Sequence, residues 1–314
     1  MSTPDPLAST RQLDRSFGGD AFLTAATMAR LGSEPALLTG LGADPFSKDL
    51  KRQLASYNVN TDWAQHFPKA NTGVYMVGRD VQPATDAPKK SRVHRSVAYY
   101  RKGSAASLLD SDALTEEMIQ SVSMVYATGV SMAISDSMRE LVLEAFTLAK
   151  KYEVTTAFDT NYREDLWDSP TEAFELMKPV FELTDIVFPT FPNDTQPLTG
   201  LEDPYQTIDF FHCQGSPLVA LKAGKDGCYL GYKRKVQHLS AHSLQSPIKN
   251  TIGAGDAFNA GFMHGFLNRE SLTTCAQIGL VTAGLKIQQA DTLKSIPTRE
   301  AVYSALKSKS LTPA

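Results

Sequence analysis

The residues with the clearest chemical potential form a glycine-rich segment, NTIGAGD, at positions 250–256. Gly253, Ala254 and Gly255 carry no bulky side chains, so their backbone N–H groups can close on an anion. A helical pattern follows directly, and its dipole favours negative charge at this end. Asp256 falls in the first turn of that helix. Because phosphoryl transfer needs such donors and a base near the acceptor hydroxyl, the segment predicts an anion hole with Asp256 as general base.

The same segment also has a purely structural interpretation. It could be a glycine-rich helix start packed tightly on a strand, with Asp256 as a simple cap. Small residues on one face of the following helix favour the phosphate-binding interpretation, because they permit close packing: Ala257, Ala260, Gly261 and Gly265. No Lys-Ser/Thr pair follows the glycines, so the segment is not a Walker loop.

Composition excludes several classes of protein. The formal net charge of -3 and the pI near 6.1 argue against a nucleic-acid surface, which needs a basic field. No apolar stretch approaches the ~20 residues that span a bilayer, so no membrane association is expected. The chain starts without the apolar region of a signal peptide. Three widely spaced cysteines, Cys213, Cys228 and Cys275, predict reduced thiols and a cytoplasmic location. The six histidines show no metal-ligand spacing, so no protein-held metal is predicted.

Strand and helix patterns alternate along the chain and must position these residues. Helical spacing predicts helices over 21–31, 45–57, 136–151, 171–181, 256–269 and 271–289. Apolar runs predict strands at 35–41, 124–127, 155–158, 186–188 and 218–221, and alternating runs predict antiparallel strands at 72–80 and 93–101. The alternation favours a parallel sheet with helices on both faces, whereas Asp226-Gly227 is typical of a hairpin turn.

A second glycine-containing segment, GGDAFLTAATMARLG at 18–32, completes a recognisable pair with GAGDAFNAGF. Together they resemble the ribokinase-like (PfkB) carbohydrate kinase family, from residue 18 to about residue 303. The resemblance implies a single α/β domain over 1–314, a ribokinase-like three-layer α/β/α fold with a small β-sheet lid. The lid is expected at about 72–101, with part of 8–17.

The resemblance also implies chemistry and partners. The GAGD glycines and alanine would form the anion hole, and Asp256 would be the catalytic base. ATP would be the phosphoryl donor, with Mg²⁺ bound to it and not to a dedicated protein site. A small-molecule sugar would be the acceptor. The family's lid strands often pair between subunits, so a homodimer is the expected assembly.

Four further segments narrow the acceptor: TGVY at 72–75, YYRKGSAAS at 99–107, FDTNYREDLW at 158–167 and KAGKDG at 222–227. They resemble the 2-keto-3-deoxygluconate kinase branch of the family. The resemblance assigns substrate contacts to Gly19, Tyr75, Tyr99, Arg101, Arg163, Asp256 and Asp291. It assigns ATP contacts to Asn161, Lys222, Gly224, Gly227, Thr251, Gly253 and Gly255.

The two arginines suit a sugar acid, because each can donate paired, charge-assisted hydrogen bonds to a carboxylate. Taken singly, Arg101 or Arg163 would more often be a surface charge. Tyr99 and Tyr100 would more often be ordinary strand residues, and at least one of them must face away from any site. Their joint occurrence at the family's positions favours substrate binding.

Four features depart from the family pattern. Leu23 and Asn250 stand where relatives usually have asparagine and aspartate, and only Asp194 can replace the acidic residue of the family's NxxE element. The 17 residues before Gly18 contain no apolar run, whereas relatives usually have a β-strand there. Two alternatives therefore stay open: a fructokinase-like neutral-sugar kinase, and a diverged sugar- or nucleotide-binding relative without activity. The retained Asp256 and arginines favour an active ATP-dependent kinase that phosphorylates the terminal hydroxyl of 2-keto-3-deoxygluconate or a related sugar acid.

Overall fold

The computed structural model describes residues 1–81, 93–243 and 246–309. In chain order the strands are β1 Gly40–Gly42, β2 Gln65–Phe67, β3 Val74–Val81, β4 Val93–Tyr100, β5 Met124–Thr128, β6 Thr155–Asp159, β7 Ile186–Val187, β8 Leu218–Lys222, β9 Cys228–Tyr232 and β10 Lys235–Leu239. The helices are α1 Asp20–Leu31, α2 Pro45–Ser56, α3 Glu116–Gln120, α4 Gly129–Ala133, α5 Asp136–Lys151, α6 Pro170–Glu182, α7 Thr195–Thr199, α8 Pro204–Cys213, α9 Ala254–Leu267, α10 Leu272–Lys286 and α11 Arg299–Lys309.

The main sheet of the described residues has the strand order β10-β9-β8-β7-β6-β5. Strands β5 to β8 are parallel, as the strand–helix alternation predicts. The prediction of a parallel sheet is wrong for the other end, because β8, β9 and β10 pair antiparallel. The reason is the hairpin predicted at Asp226-Gly227, which is confirmed. Gly227 has φ 93°, and a Cβ there would lie 2.0 Å from the carbonyl oxygen of Leu239, so only glycine suits this turn.

Helices cover both faces of this sheet. Successive strand residues point to opposite sides, so Ile186 joins the core against α9 and α10, whereas Val187 joins the core against α5, α6 and α8. Phe188 packs edge-to-face on Phe262 in the first core, and Phe158 packs edge-to-face on Phe181 in the second. The result is the three-layer α/β/α arrangement that was predicted.

A separate antiparallel pair, β3 and β4, forms the predicted lid strands. The predicted loop between them lies largely outside the described residues. Ser2 forms isolated β-bridges to Asp14, within segment 8–17, and to Val77 on β3, and so connects that segment to the predicted lid. The strand predicted over 35–41 is displaced: β1 starts at Gly40, where a Cβ would lie 2.1 Å from the carbonyl oxygen of Ala105. Ala36 forms only an isolated bridge.

Small residues bring α9 and α10 together behind the GAGD segment. A Cβ added to Gly261 would lie 2.9 Å from Cα of Gly279, so the two backbones touch at this point. Ala257 and Ala260 are fully buried on α9. This confirms the close packing that the small-residue face predicts. Within the described ranges, every helix is too short or too polar to span a bilayer.

Candidate active site

The GAGD segment forms the N-terminus of α9. Gly253 is the residue before the helix and has φ 77°, a left-handed conformation that glycine adopts without strain. Helix starts leave backbone N–H groups without partners inside the helix. No residue in the described part of the chain accepts a hydrogen bond from the N–H of Gly253, Gly255 or Asp256. These N–H groups are therefore available to an anion, whereas the N–H of Ala254 donates to the carbonyl of Thr251 at 3.2 Å, and the anion hole stays a prediction.

Lys222 adds a cation at the same place. It ends β8, is buried, and donates to Oδ2 of Asp159 at 2.8 Å. A Cβ on Gly255 would lie 3.6 Å from Nζ of Lys222, so the ammonium borders the anion hole. Asn259, one turn into α9, donates to the same carboxylate oxygen at 2.6 Å and to Tyr126 at 3.1 Å. The Asp159 carboxylate thus holds the Lys222 ammonium and the Asn259 amide in place.

Asp256 is buried beside these donors, and its pKa is raised to about 7. Burial is the main cause, followed by repulsion from the carboxylates of Asp20 and Asp159, while Lys222 and Arg163 oppose the shift. No donor in the described residues forms a hydrogen bond with the Asp256 carboxylate, so its oxygens are open to a ligand. A carboxylate with a pKa close to neutrality suits a general base.

The glycine pair at 18–19 brings a second helix start to the site. Gly19 has φ 122° and precedes α1, whose first residue is Asp20. The hydroxyl of Thr128, at the end of β5, donates to Oδ2 of Asp20. A Cβ on Gly18 would lie 2.1 Å from the hydroxyl oxygen of Tyr75, so the Tyr75 side chain of β3 packs directly on this glycine.

Sequence reasoning missed Asp20 and Asp159 as members of the site. Both carried a usable signal. Asp20 follows the glycine pair immediately and opens a helix. Asp159 stands at the carboxyl end of a parallel strand, where open α/β sheets bind their ligands.

The predicted lid residues gather on one face of the lid. Tyr75 and Tyr99 are direct cross-strand neighbours, with ring centroids 6.3 Å apart. The guanidinium of Arg101 lies 5.5 Å from each ring centroid. Burial raises the pKa of Tyr75 to about 12, opposed by Arg101 and reinforced by Asp256. Tyr100, by contrast, is exposed and points to the other face, as the strand alternation predicts.

Arg163 approaches the same place from the loop after β6. Its Nη1 donates to the carbonyl of Tyr162 at 2.8 Å and lies 3.9 Å from Oδ1 of Asp194. Its side chain is 45% exposed, so most of its donors are available. Burial raises the pKa of Tyr99, and the charges of Arg163 and Arg101 both counteract this shift. Both guanidinium groups therefore act electrostatically on the Tyr99 hydroxyl.

A cavity of about 720 Å³ lies beside the lid, and Tyr99 and Arg101 are among its lining residues. This volume is in the range of small-molecule sites. Asp256 does not line it. Tyr100 also lines the cavity, so the cavity lies at the end of β4 and not over Asp256.

The residues assigned to ATP lie at the carboxyl ends of β6 and β8 and at the start of α9. Asn161 is buried with φ 34°, Gly224 has φ 55° in the turn after β8, and Thr251 is exposed just before the anion hole. Asp194 is buried, accepts from the hydroxyl of Thr160 at 2.9 Å, and has its pKa raised by burial and by Asp159. No cluster of His, Cys, Asp or Glu in the described ranges has the arrangement of a metal site.

The departures from the family pattern have local explanations. Leu23 is buried, and its Cδ1 would lie 2.9 Å from a Cβ on Gly253, so it packs behind the anion hole. Asn250 donates to the carbonyl of Ala290 at 2.8 Å, a bond that an ionised aspartate cannot form. The Asp291 carboxylate accepts from the N–H groups at 293 and 294, and its contact with substrate stays a prediction.

A family model described as pfkB family carbohydrate kinase matches residues 2–299. The chain belongs to this family. A 2-dehydro-3-deoxygluconokinase of Haemophilus influenzae is 30% identical over 286 residues, which are 87% of this chain and 87% of that protein. The predicted assignment as a carbohydrate kinase is confirmed.

Solved structures agree on the fold of this PfkB-family carbohydrate kinase. A PfkB protein from Polaromonas sp. JS666 has a TM-score of 0.80 at 24% identity, over 96% of this chain and 94% of that one. A fructokinase from Vibrio cholerae O395, bound to fructose, ADP and calcium ion, has a TM-score of 0.78 at 21% identity, over 92% and 91%. The ribokinase-like α/β fold expected from the sequence is confirmed.

Proposed function

We propose that this carbohydrate kinase transfers the γ-phosphoryl group of ATP to the terminal hydroxyl of 2-keto-3-deoxygluconate or a closely related sugar acid, with Asp256 as general base. The observation that carries this proposal is the position of Asp256. A buried carboxylate with a pKa near 7 and open oxygens lies at a helix start whose N–H groups have no acceptor in the described residues. The name of the Haemophilus relative supports the substrate class.

The residues present suit a nucleoside triphosphate. The N–H groups of Gly253 and Gly255 and the ammonium of Lys222 border one small space, and they suit the γ-phosphoryl oxygens. The glycine turn after β8 and Asn161 suit the rest of the nucleotide. Mg²⁺ supplies charge neutralisation when it accompanies ATP, and Asp194 is the carboxylate expected to act with it. Mg²⁺ usually keeps phosphate and water ligands, so a dedicated carboxylate cage is not required.

In this scheme Asp256 accepts the proton of the acceptor hydroxyl. The hydroxyl oxygen forms the new bond to the γ-phosphorus, and the bond from that phosphorus to the bridging oxygen of ADP breaks. The electron pair of the broken bond leaves with ADP. The backbone donors at the start of α9 and Lys222 stabilise the negative charge on the transferring group.

A sugar acid fits the charges beside the lid better than a neutral sugar. Arg101 and Arg163 come from separate segments, and the pKa of Tyr99 is affected by both. Arg163 has the Asp194 carboxylate at 3.9 Å, whereas Arg101 has no ion pair within the described residues, so closure over a neutral sugar would leave Arg101 without an anionic partner once water is excluded.

The test compares kcat/KM for the sugar acid and for fructose in a coupled ADP-release assay. Wild type should prefer the acid. Arg163→Ala should reduce kcat/KM for the acid by roughly 10- to 100-fold, the value of one charge-assisted contact, and affect fructose less. Arg52→Ala is a matched control, because Arg52 is exposed on α2. A wild-type preference for fructose, or an acid-to-fructose ratio unchanged in Arg163→Ala, would contradict the sugar-acid proposal.

The same assay decides between the alternatives. A neutral-sugar kinase would release ADP with fructose and not with the acid. A non-catalytic relative would release none with any sugar, and the buried, apolar Leu23 at a usual sugar-contact position is the feature that favours it. A homodimer and a cytosolic location are further proposals. The latter is supported by Cys213, Cys228 and Cys275, which are all free.

A further inference from the structure

Lys286 is a buried cation that the scheme above does not use. It lies in the last turn of α10, and its side chain is fully buried. Its ammonium donates to the carbonyl of Thr292 at 2.7 Å and to Oγ of Ser295 at 2.6 Å. Removing an ammonium from water is unfavourable unless the surroundings compensate. The position of Lys286 therefore needs an explanation.

The side chain of Lys286 runs directly behind the anion hole. A Cβ on Gly253 would lie 3.4 Å from Cε of Lys286, and the ammonium nitrogen is one bond further along. Burial lowers the pKa of Lys286 to about 8, and the negative charges of Asp256 and Asp291 oppose this shift. The Lys286 amine is still mostly protonated at pH 7. A buried positive charge therefore lies against the side of the Gly253 segment that faces α10.

The hydrogen bonds of Lys286 hold the 290–295 loop to α10, but this structural task does not by itself require a positive charge. Both acceptors of Lys286 are neutral oxygens, and Oγ of Ser295 already donates to the carbonyl of Thr292 at 3.1 Å. Within residues 1–81, 93–243 and 246–309, no carboxylate forms an ion pair with Lys286. A charge that no contacting anion neutralises keeps its effect on neighbouring groups where water is excluded.

We propose that Lys286 is a positioning residue whose charge, held behind Gly253, stabilises the negative charge that gathers in the anion hole during phosphoryl transfer. This inference rests on the proposed function. Asn250 supports the arrangement with a neutral group, since its amide holds the same 290–295 loop through the carbonyl of Ala290. Because Asn250 carries no negative charge, it does not neutralise the Lys286 ammonium, whose charge can act on the transferring phosphoryl group.

The test replaces Lys286 by methionine, which removes the charge and keeps an unbranched side chain of similar length. Lys286→Met should lower kcat on the order of 10-fold, as expected for one partly screened charge, and leave KM for the sugar acid within about twofold. Calorimetry without sugar gives a readout that needs no turnover. Lys286→Met should lose several-fold of the wild-type preference for AMP-PNP over ADP. Lys294→Met, at an exposed position on the same loop, is the matched control and should behave as wild type.

Ser295→Ala tests the structural alternative, because it removes one acceptor and leaves the ammonium in place. If Ser295→Ala lowers kcat as much as Lys286→Met does, the effect belongs to loop order and the proposal is overturned. Unchanged kcat and unchanged nucleotide preference in folded Lys286→Met overturn it equally. If Lys286→Met does not fold, Lys286→Gln carries the same comparison with a neutral donor. A wild type inactive on every sugar would count against the proposed function, and the nucleotide preference would still decide the role of Lys286.

Discussion

Replacing Asp256 by asparagine separates the stability of the protein from its activity. The folded state raises the pKa of Asp256 from 3.8 to about 7, chiefly through burial. Between these two pH values the folded chain holds a proton that the unfolded chain has lost. The free energy of unfolding therefore falls as pH rises through this window and levels off above it. A shift of about three units corresponds to about 4 kcal/mol.

Asparagine is close to aspartate in shape and does not titrate. Asp256→Asn should therefore gain about 3 kcal/mol of stability relative to wild type as the pH rises from about 4.5 to 8.5. Turnover should fall by roughly 10²- to 10⁴-fold, the usual contribution of a positioned base. Wild-type kcat/KM should fall as the pH is lowered through about 7, because protonated Asp256 cannot accept a proton.

Urea unfolding at a series of pH values measures the stability difference, and ADP release measures turnover. Groups that titrate alike in both proteins cancel in the difference. Asp62→Asn is the control, because Asp62 is exposed and its replacement should leave the difference flat across the series. A difference between wild type and Asp256→Asn that does not vary from pH 4.5 to 8.5 would refute the argument from burial. Near-normal turnover would remove Asp256 from the mechanism.

Two further replacements test the surroundings of Asp256. Asp159→Asn leaves the buried Lys222 without its anion, so urea unfolding should show a free energy of unfolding lower by about 3–5 kcal/mol. The same change removes the repulsion between Asp159 and Asp256, so the fall of kcat/KM at acidic pH should move to lower pH. A fall at the wild-type pH would contradict this repulsion. Gly18→Ala should raise KM for the sugar, because its Cβ would displace the hydroxyl of Tyr75. Adding Tyr75→Phe removes that hydroxyl, so Gly18→Ala should raise KM much less in the Tyr75→Phe background than in wild type. Strictly additive effects of the two changes would argue against this clash.

The GAGD segment and the parallel strands were predictable because local sequence encodes them. Small residues before a helix and short apolar runs between helices have few other stable arrangements. Asp159 and Lys222 were harder to connect, because their ion pair joins residues 63 positions apart through the strand order. Lys286 carried only one signal, a single charged residue in the apolar helix LTTCAQIGLVTAGLK. Its burial depends on the 290–295 loop, which no local pattern describes.

The hydrogen bonds of the acidic residues separate Asp256, the proposed base, from the two neighbouring carboxylates. Asp159 is held by Lys222 and Asn259, and Asp20 accepts from Thr128. Asp256 has no such partner among the described residues, although it is buried and repelled by the other two carboxylates. A carboxylate that served only the fold would be expected to satisfy its oxygens, because a desolvated and unsatisfied group lowers stability. The open oxygens of Asp256 therefore indicate a group kept for a ligand that donates a hydrogen bond, and an acceptor hydroxyl is such a ligand.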